Sequence, residues 1–396
     1  MIKLCIVGGK LQGLEAAYLA KKAGFKTVLI DRREKTPASY LVDEVYLADV
    51  LKDHDLVRRV IKSSDAVLPA LEELEVLFKL EELCKELGVP YIQDNKAFAI
   101  TSNKRVFAMF CDENKIPHPK LFQQANFPVI LKPTMGSGGK GVRLVRSPEE
   151  MEYVQKYMKE EGVDFIVQEY VRGYFLSLEL LGLKGRPMPM QVTCLEFDES
   201  YGCKRVIAPW PYEYKAIKET LALGEKVVEG LHLTGLTDVQ VVVREDGRVE
   251  IIEANARLPS QTPTVVYHST GVNMVELLAD LFLRERLPSY ELKHEKVVIY
   301  QHVLIKDGKL KIVAERELSN AKGLRIEEGF YGLTEAITNL PSNGGIATLI
   351  VSDSSYKRAK ERMEEALRSI AMDFKISTIE DLSPQNARSV YDEIDI

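Results

Sequence analysis

Short apolar runs alternate with stretches of helical spacing through the first quarter of the chain. Lys3–Val7 is the first run, and Gly8-Gly9-Lys10-Leu11-Gln12-Gly13 follows as a turn. Leu14–Ala23 repeats apolar residues at helical intervals, with Gly24 placed to end the helix in a left-handed conformation. Thr27–Asp31, Val45–Asp49 and Ala66–Pro69 are the next three runs. Strand–helix–strand repetition with short turns predicts a parallel sheet with helices on its faces. This first domain is expected to close near Asp94, giving residues 1–95.

The pattern then changes. A helix is predicted over Ser102–Asn114, stopped by Ile116-Pro117-His118-Pro119. Pro128–Val145 reads as strand, glycine-rich loop and strand; Glu149–Glu160 reads as helix and Phe165–Val171 as a buried strand. A polar hairpin region and a helix over Tyr214–Leu231 come next. Asp238–Arg244 and Arg248–Glu253 flank Asp246-Gly247 as a two-strand hairpin. Val298–Val351 is strand-rich, Ser355–Ala371 is one helix, and the last residues read as an exposed acidic tail. There is no internal repeat or low-complexity linker, so the domains are expected to be joined tightly.

Composition limits the class. The chain has 396 residues, 45% hydrophobic and 28% charged, an ordinary soluble globular balance that suggests two or three domains. A net charge of −6 lacks the basic footprint of a nucleic-acid binder. No apolar run approaches the roughly 18 residues of a membrane span, and Met1–Lys10 reads as a strand and not as a signal peptide. Cys5, Cys84, Cys111, Cys194 and Cys203 contain no CxxC and read as thiols of a reducing compartment, so the cytoplasm is expected.

The hairpin is the sharpest chemical signal. With a two-residue turn at Asp246-Gly247, Gln240 faces Glu253 and Asp238 faces Asn255. Asp238, Gln240, Glu253, Asn255 and Arg257 then share one face, while Val239, Val241, Ile252 and Ala254 form the other. Such an oxygen-rich face suits Mg2+, which takes one or two carboxylates and completes its shell with substrate phosphates and water. Arg257 is placed to hold phosphate oxygens bidentately. The competing reading is a solvated sheet face, and a three-residue turn would shift the register by one. The loop Thr134-Met135-Gly136-Ser137-Gly138-Gly139-Lys140-Gly141 follows Lys132-Pro133, so backbone N–H groups and an ammonium can meet one anion. It lacks GxxxxGK[ST] and leads into a strand, so it is not a P-loop; a glycine-rich hairpin without function is the alternative.

ILKP–TMGSGGKGV, then VQEYV, then Glu253-Ala254-Asn255 with Arg257 resemble the ATP-grasp superfamily of ATP-dependent carboxylate–amine ligases. The resemblance implies an α/β and α+β fold: an N-terminal Rossmann-like domain, then an ATP-grasp region over 96–396. Its lid lobe would span about 122–178 and its C-terminal α+β lobe about 179–396. It implies ATP and Mg2+ as cofactors, with Lys104 and Lys132 on the phosphates. Gly136, Ser137, Gly138 and Gly139 would belong to the flexible lid. Glu169, Tyr170 and Val171 would form the hinge whose backbone meets adenine, with Gln168 also at the ATP, and Gln240, Glu253 and Asn255 would ligate metal. A Gln at the first metal position occurs among superfamily members.

GGKLQGLEAAYLAKKAG at Gly8–Gly24 and ARLPSQTPTVVYHSTGVNMVELL at Ala256–Leu278 resemble the pyrrolysine-biosynthesis ligase family more closely, with similarity from residue 1 to about 360. This implies (3R)-3-methyl-D-ornithine, or D-ornithine, joined to the ε-amine of L-lysine. Neither nucleic acid nor membrane is expected as a partner, and a homodimer is suggested by analogy alone. Gln240 and Asn255 stand where carboxylates are expected in that family, Tyr174 where a ribose-binding Glu is usual, and the tail after about Leu382 lies outside the resemblance.

Two substrates carrying two amines each call for carboxylates, and Glu72, Glu179 (with Ser177 on the same strand) and Asp238 lie near strand ends. Glu179 and Asp238 are alternative bases for deprotonating the amine. Arg257 and Lys132 are expected to stabilise transferred charge, and Ser260, Gln261 and Thr262 to fix the donor or its phosphate. In the first domain Lys10 replaces the middle glycine of GxGxxG, which disfavours a dehydrogenase. Lys10, Leu11, Gln12, Asp31, Asp49, Val50 and Glu72 are expected to line a crevice for L-lysine or an auxiliary nucleotide; alternatively Asp31 and Asp49 cap helices. His268 has no second ligand at metal spacing, and Trp210 reads as a loop anchor. A different carboxylate–amine ligase and a non-catalytic nucleotide-binding regulator remain the rival functions.

Overall fold

The computed structural model describes residues 1–122, 127–212, 214–291, 293, 295–340 and 344–393. The first four apolar runs form β1 (Lys3–Val7), β2 (Lys26–Asp31), β3 (Glu44–Leu47) and β4 (Ala66–Pro69), in the order β3-β2-β1-β4 and all parallel. Between β1 and β2, helix α1 (Leu11–Lys22) begins three residues before the periodic pattern, because Lys10 C=O already accepts from Leu14 N–H at 2.8 Å. Gly13 permits that tight start, since a Cβ there would lie 2.1 Å from Gly8 O. Helices α2 (His54–Lys62) and α3 (Leu74–Leu87) cover one face through Val57, Ile61 and Leu80. The other face, through α1, enters a core shared with Val266 and Leu278 of the C-terminal half.

Helices α4 (Asn95–Thr101) and α5 (Lys104–Glu113) follow. They divide at Asn103, whose side chain accepts from the N–H groups of Arg105 and Val106 and caps the second helix. Strands β5 (Val129–Pro133), β6 (Arg143–Val145) and β7 (Phe165–Glu169) form a small antiparallel sheet in the order β6-β5-β7. Helix α6 (Pro148–Glu160) covers it, packing Met158 against Leu131 and Val145.

The remaining strands build one large sheet. Its first half contains β8 (Gly173–Leu183), β9 (Arg186–Phe197) and β10 (Cys203–Ala208), then α7 (Tyr214–Leu231), β11 (Gly235–Arg244) and β12 (Val249–Asn255). Helices α8 (Thr262–Thr270) and α9 (Met274–Arg284) lead to β13 (Val297–Lys306), β14 (Lys309–Val313), β15 (Arg325–Glu328), β16 (Glu335–Thr338) and β17 (Gly345–Asp353). Then come α10 (Tyr356–Asp373), β18 (Ile379–Glu380) and α11 (Val390–Glu393). The main path runs β12-β11-β8-β9-β10-β13-β17-β16-β15. Among the described residues, no helix is long and apolar enough to cross a membrane.

Two sequence expectations change. The polar hairpin region is three central strands, because its Ser177, Glu179, Thr193, Glu196, Lys204 and Arg205 are buried polar residues, not solvent-facing ones. The acidic tail is only partly exposed: Leu382, Gln385 and Asp392 face solvent, whereas Asn386, Val390 and Tyr391 are buried. Asp381 pairs with Lys204 and, at 2.6 Å, with Arg205; Arg205 also donates to Gln301 and Glu196, and Val390 is fully buried in the main core. The tail's charges are attractive only because the large sheet holds buried cations for them.

Glu196 and Arg205 are an almost wholly buried pair, so truncating the cation strands a carboxylate away from water. Arg205→Ala should cost about 3–5 kcal/mol in a denaturation experiment. A loss below about 1 kcal/mol would mean that this cluster does not hold the C-terminal segment.

Candidate active site

The register of the β11–β12 hairpin sets the site. Arg244 N–H donates to Arg248 O at 2.8 Å, so the turn holds three residues, Glu245–Gly247, and Val241, Val242 and Val243 pair with Ile251, Glu250 and Val249. That register alone would rotate the oxygen ligands away. A β-bulge at Ile252 restores it, and Gln240 faces Glu253 while Asp238 faces Asn255, the pairing expected from a two-residue turn. Ile252 itself moves from the apolar face to the wall of the cleft.

The cleft lies between the small sheet and the β8–β11–β12 part of the large one. It is open to solvent on one side. Lys104, Lys132, Gly136, Ser137, Gly138, Gly139 and Lys140 line one side; Asp238, Gln240, Glu253, Asn255 and Arg257 line the other. Lys104 donates to Gly136 O at 2.6 Å and Lys132 to Gln168 Oε1 at 2.8 Å. Burial, opposed by Glu253, pulls the Lys132 ammonium down to about 8. An anion beside it would reverse that shift. The loop glycines are left-handed, and at Gly139 a Cβ would lie 2.3 Å from Tyr201 O, so only glycine lets the loop fold this closely over the β9–β10 turn.

Gln240 and Asn255 donate their amide N–H groups to Asp238 Oδ2 at 3.1 and 3.3 Å. Their carbonyl oxygens are left to join the Glu253 carboxylate as hard donors. One carboxylate and two amide oxygens fit Mg2+ when substrate phosphates complete the shell. Asp238 itself is buried, and desolvation, countered by Arg257, raises it to about 6. Its strand partner Glu179 lies behind the cleft wall, accepts from Ser177 Oγ at 2.9 Å and is pushed by burial up to about 8. Each of these carboxylates has one buried oxygen without a partner among the described residues.

Glu72 joins the first domain to this cleft. It accepts from Arg257 Nε at 3.0 Å, Gln12 Nε2 at 2.9 Å and Ser137 Oγ at 3.1 Å. Ser260, Gln261 and Thr262 line the cleft at the start of α8, whose Thr264 N–H is held by the buried Glu15 of α1 at 2.7 Å. Glu315 was not legible as a site residue; it accepts from Ser260 Oγ at 2.6 Å and lines the cleft from a distant 3-10 turn. Pro384, Asn386 and Ala387 of the C-terminal segment also line it, again without a sequence signal.

The expected hinge divides. Gln168, Glu169 and Val171 line the cleft, whereas Tyr170 is not among its lining residues. Glu169 is held by Arg244 at 2.9 Å through both oxygens. Tyr174 turns from the cleft and donates to Glu393. The expected first-domain crevice divides as well. Asp31, Asp49 and Val50 line a small separate hollow, while Gln12 reaches Glu72 on the cleft side and Lys10 is exposed. Burial would raise Asp31, but Arg33 and the Gly9 N–H, at 2.7 Å, outweigh it and hold the carboxyl low. Asp49 accepts from Leu51 N–H at 3.0 Å in a local turn. His268 bonds Tyr18 at 2.7 Å beside Glu335, linking the two halves of the molecule, and Trp210 packs edge-on against Tyr174 and Tyr212.

Comparison with known proteins places this geometry. Residues 4–92 match the family model described as PylC-like, N-terminal domain, and residues 101–261 match the ATP-grasp domain model. The 3-methyl-D-ornithine–L-lysine ligase of Methanosarcina barkeri is 33% identical over 322 residues, 81% of this chain and 84% of that one. Among solved structures, N5-carboxyaminoimidazole ribonucleotide synthetase from Thermotoga maritima superposes with a TM-score of 0.67 at 22% identity, covering 93% of this chain and 98% of that one. The L-amino acid ligase from Bacillus licheniformis gives 0.68 at 15% identity, over 92% and 98%.

The raised Glu179 pKa has a signed consequence for stability. Below about 4.5 the group is protonated folded or unfolded; as pH rises toward about 8 the unfolded chain ionises first and stability is lost. Glu179→Gln removes that loss. Its melting temperature should gain on the wild type between about pH 5 and pH 9, by the equivalent of a few kcal/mol at the upper end. A difference that stays flat across this range would contradict the buried-acid assignment.

Proposed function

We propose that this chain, which belongs to the family of ATP-grasp carboxylate–amine ligases that includes the 3-methyl-D-ornithine–L-lysine ligases, joins (3R)-3-methyl-D-ornithine to the ε-amine of L-lysine in pyrrolysine biosynthesis. The observation that carries the reading is one cleft in which Lys104, Lys132 and the glycine-rich loop oppose the oxygen face of Gln240, Glu253 and Asn255. Similarity to the named ligase over four-fifths of the chain supports the substrate pair. Carboxylates at the cleft and its margin, Glu72, Asp238 and Glu315, suit ligands that carry several amines. In this reading residues 1–95 help to hold the amino acids, the lobe of about 122–178 carries the lid, and 179–396 carries the metal face.

The reaction is ADP-forming. A donor carboxylate oxygen attacks the γ-phosphorus of ATP, the bond to the β-phosphate oxygen breaks, and an acyl phosphate and ADP result. Lys104, Lys132 and the loop amides hold the phosphates in line, which is most of what phosphoryl transfer requires. Gln240, Glu253 and Asn255 would hold Mg2+, which neutralises phosphate charge when bound. Arg257 and the Thr262 hydroxyl, both lining the cleft, are placed to receive the donor carboxylate and then its phosphate. The neutral ε-amine of lysine next attacks the acyl carbon, phosphate leaves, and the amine loses its proton to a base.

Between the two candidate bases the electrostatics favour Asp238. Burial raises both carboxyls, but Arg257 and the Gln240 and Asn255 amides oppose the rise at Asp238, whereas the Asp238 charge adds to it at Glu179. Asp238 is therefore the more readily ionised of the two and the better proton acceptor. The pair is close enough to titrate as a unit, so Glu179 also tunes its neighbour.

Glu253→Ala should abolish ADP release that depends on both amino acids while the fold is kept. Near-normal turnover would remove the metal assignment. Mass spectrometry should detect an amide of lysine with methylornithine or ornithine; product from another amino-acid pair alone would leave the ligase and replace its substrates. The pH dependence gives a separate check. kcat/KM should rise as Asp238 ionises through about pH 6, and Asp238→Asn should lower the rate by about 10²–10⁴-fold and erase that limb. An unchanged acidic limb in that variant would transfer the base role elsewhere.

A further inference from the structure

The C-terminal segment is built into the cleft, not laid beside it. Lys204 Nζ donates to Leu382 O at 2.9 Å and Ser383 Oγ at 2.8 Å, Glu196 accepts from Tyr391 N–H at 2.8 Å, and the Arg205 guanidinium stacks on Tyr391 at 3.9 Å. Between these anchors Gly173 N–H donates to Asn386 O at 3.1 Å, and Arg388 N–H donates to Gly173 O at 3.0 Å. The segment thus pairs with the first residue of β8, directly after the expected hinge. Pro384, Asn386 and Ala387 reach the cleft there, next to the apolar floor of Phe175, Leu195 and Phe197. Lys132 and the loop glycines belong to the small sheet, and Lys104 to α5.

Asn386 is 95% buried and only half satisfied. Its Nδ2 donates to Val171 O at 2.9 Å, which fixes the amide's orientation, and its Oδ1 has no partner among the described residues. A buried amide oxygen without a donor is costly, and a ligand donor relieves that cost. Other polar side chains near this end are committed: Gln168 to Lys132 and Pro119 O, and Glu169 to Arg244. We infer that the C-terminal segment is the base-side wall of the nucleotide site, and that Asn386 Oδ1 accepts a hydrogen bond from the exocyclic amine of adenine. The inference rests on the reading that this cleft holds a nucleotide. It makes Asn386 a specificity residue: a 6-oxopurine presents an acceptor at the same place, and two acceptors facing each other cannot bond.

The test is equilibrium binding of ATP, ITP, purine riboside triphosphate and 2′-deoxyATP, with no amino acid present. The wild type should bind ATP on the order of tenfold more tightly than ITP or the purine riboside nucleotide, which lacks the amine. Asn386→Ala should lose that margin while its affinity for 2′-deoxyATP falls in step with that for ATP. Equal wild-type binding of ATP and ITP overturns the assignment without any variant, which covers a variant that fails to fold. A folded Asn386→Ala that keeps the margin overturns it too, as does one that instead loses discrimination at the ribose. If no nucleotide binds at all, it is the nucleotide reading of the cleft that falls, and this inference with it.

Discussion

Two carboxylates held out of water on adjacent strands set the terms for everything around them. Glu179 and Asp238 are strand partners on β8 and β11 of the large sheet, both buried, each with an oxygen that nothing in the described chain satisfies. A sheet whose only task was to be stable would place apolar residues there, because an unpaired buried carboxylate costs more than a methyl group of similar size. The surrounding residues divide the burden. Ser177 bonds Glu179, Gln240 and Asn255 bond Asp238, and Arg257 lies near enough to lower it. What stays unsatisfied is buried acceptor capacity, in the cleft lining for Asp238 and behind it for Glu179.

The same constraint explains how the domains come to act together. Arg257, needed near Asp238, is also tied to Glu72, and Glu72 is reached by Gln12 from α1 and by Ser137 from the lid. One carboxylate at the margin of the cleft therefore joins helix α1, the glycine-rich loop and the segment after β12. Below it, Glu15 of α1 steadies the start of α8, while Tyr18, on the same helix, joins His268 and Glu335. The parallel sheet contributes its helix to the wall of a site formed mainly by other parts of the chain. Its own strand-end hollow is a separate feature, with Asp31 already committed to Arg33 and the Gly9 N–H.

Much of the site was legible because its signals are local. The glycines of the loop, Lys132 before it and the alternation across β11 and β12 are neighbours in the chain, and periodicity alone separates their faces. The face survived even though the turn did not match: three residues replaced two, and the bulge at Ile252 absorbed the difference. A bulge leaves little trace in a sequence, since it is chosen by how the strand packs. Strands β8 to β10 were obscured for the opposite reason. Their buried Glu196, Lys204 and Arg205 look solvent-facing until partners from Gln301 and Asp381 are in place.

By itself the sequence determined the parallel first sheet, the order of the glycine-rich loop and the β11–β12 hairpin that line one cleft, and the family to which the chain belongs. All of these depend on short-range patterns of polarity, glycine and charge. Tertiary structure alone decided that Glu315 and the segment around Asn386 belong to the cleft, and that Tyr174 faces Glu393. It also decided that the acidic tail is an anchored wall. The physical reason is that a charge pattern states what a segment needs, not where it will find it. Asp381 and the backbone around Asn386 are satisfied by Lys204, Arg205 and Gly173, roughly two hundred residues away, and only the folded sheet brings those partners within reach.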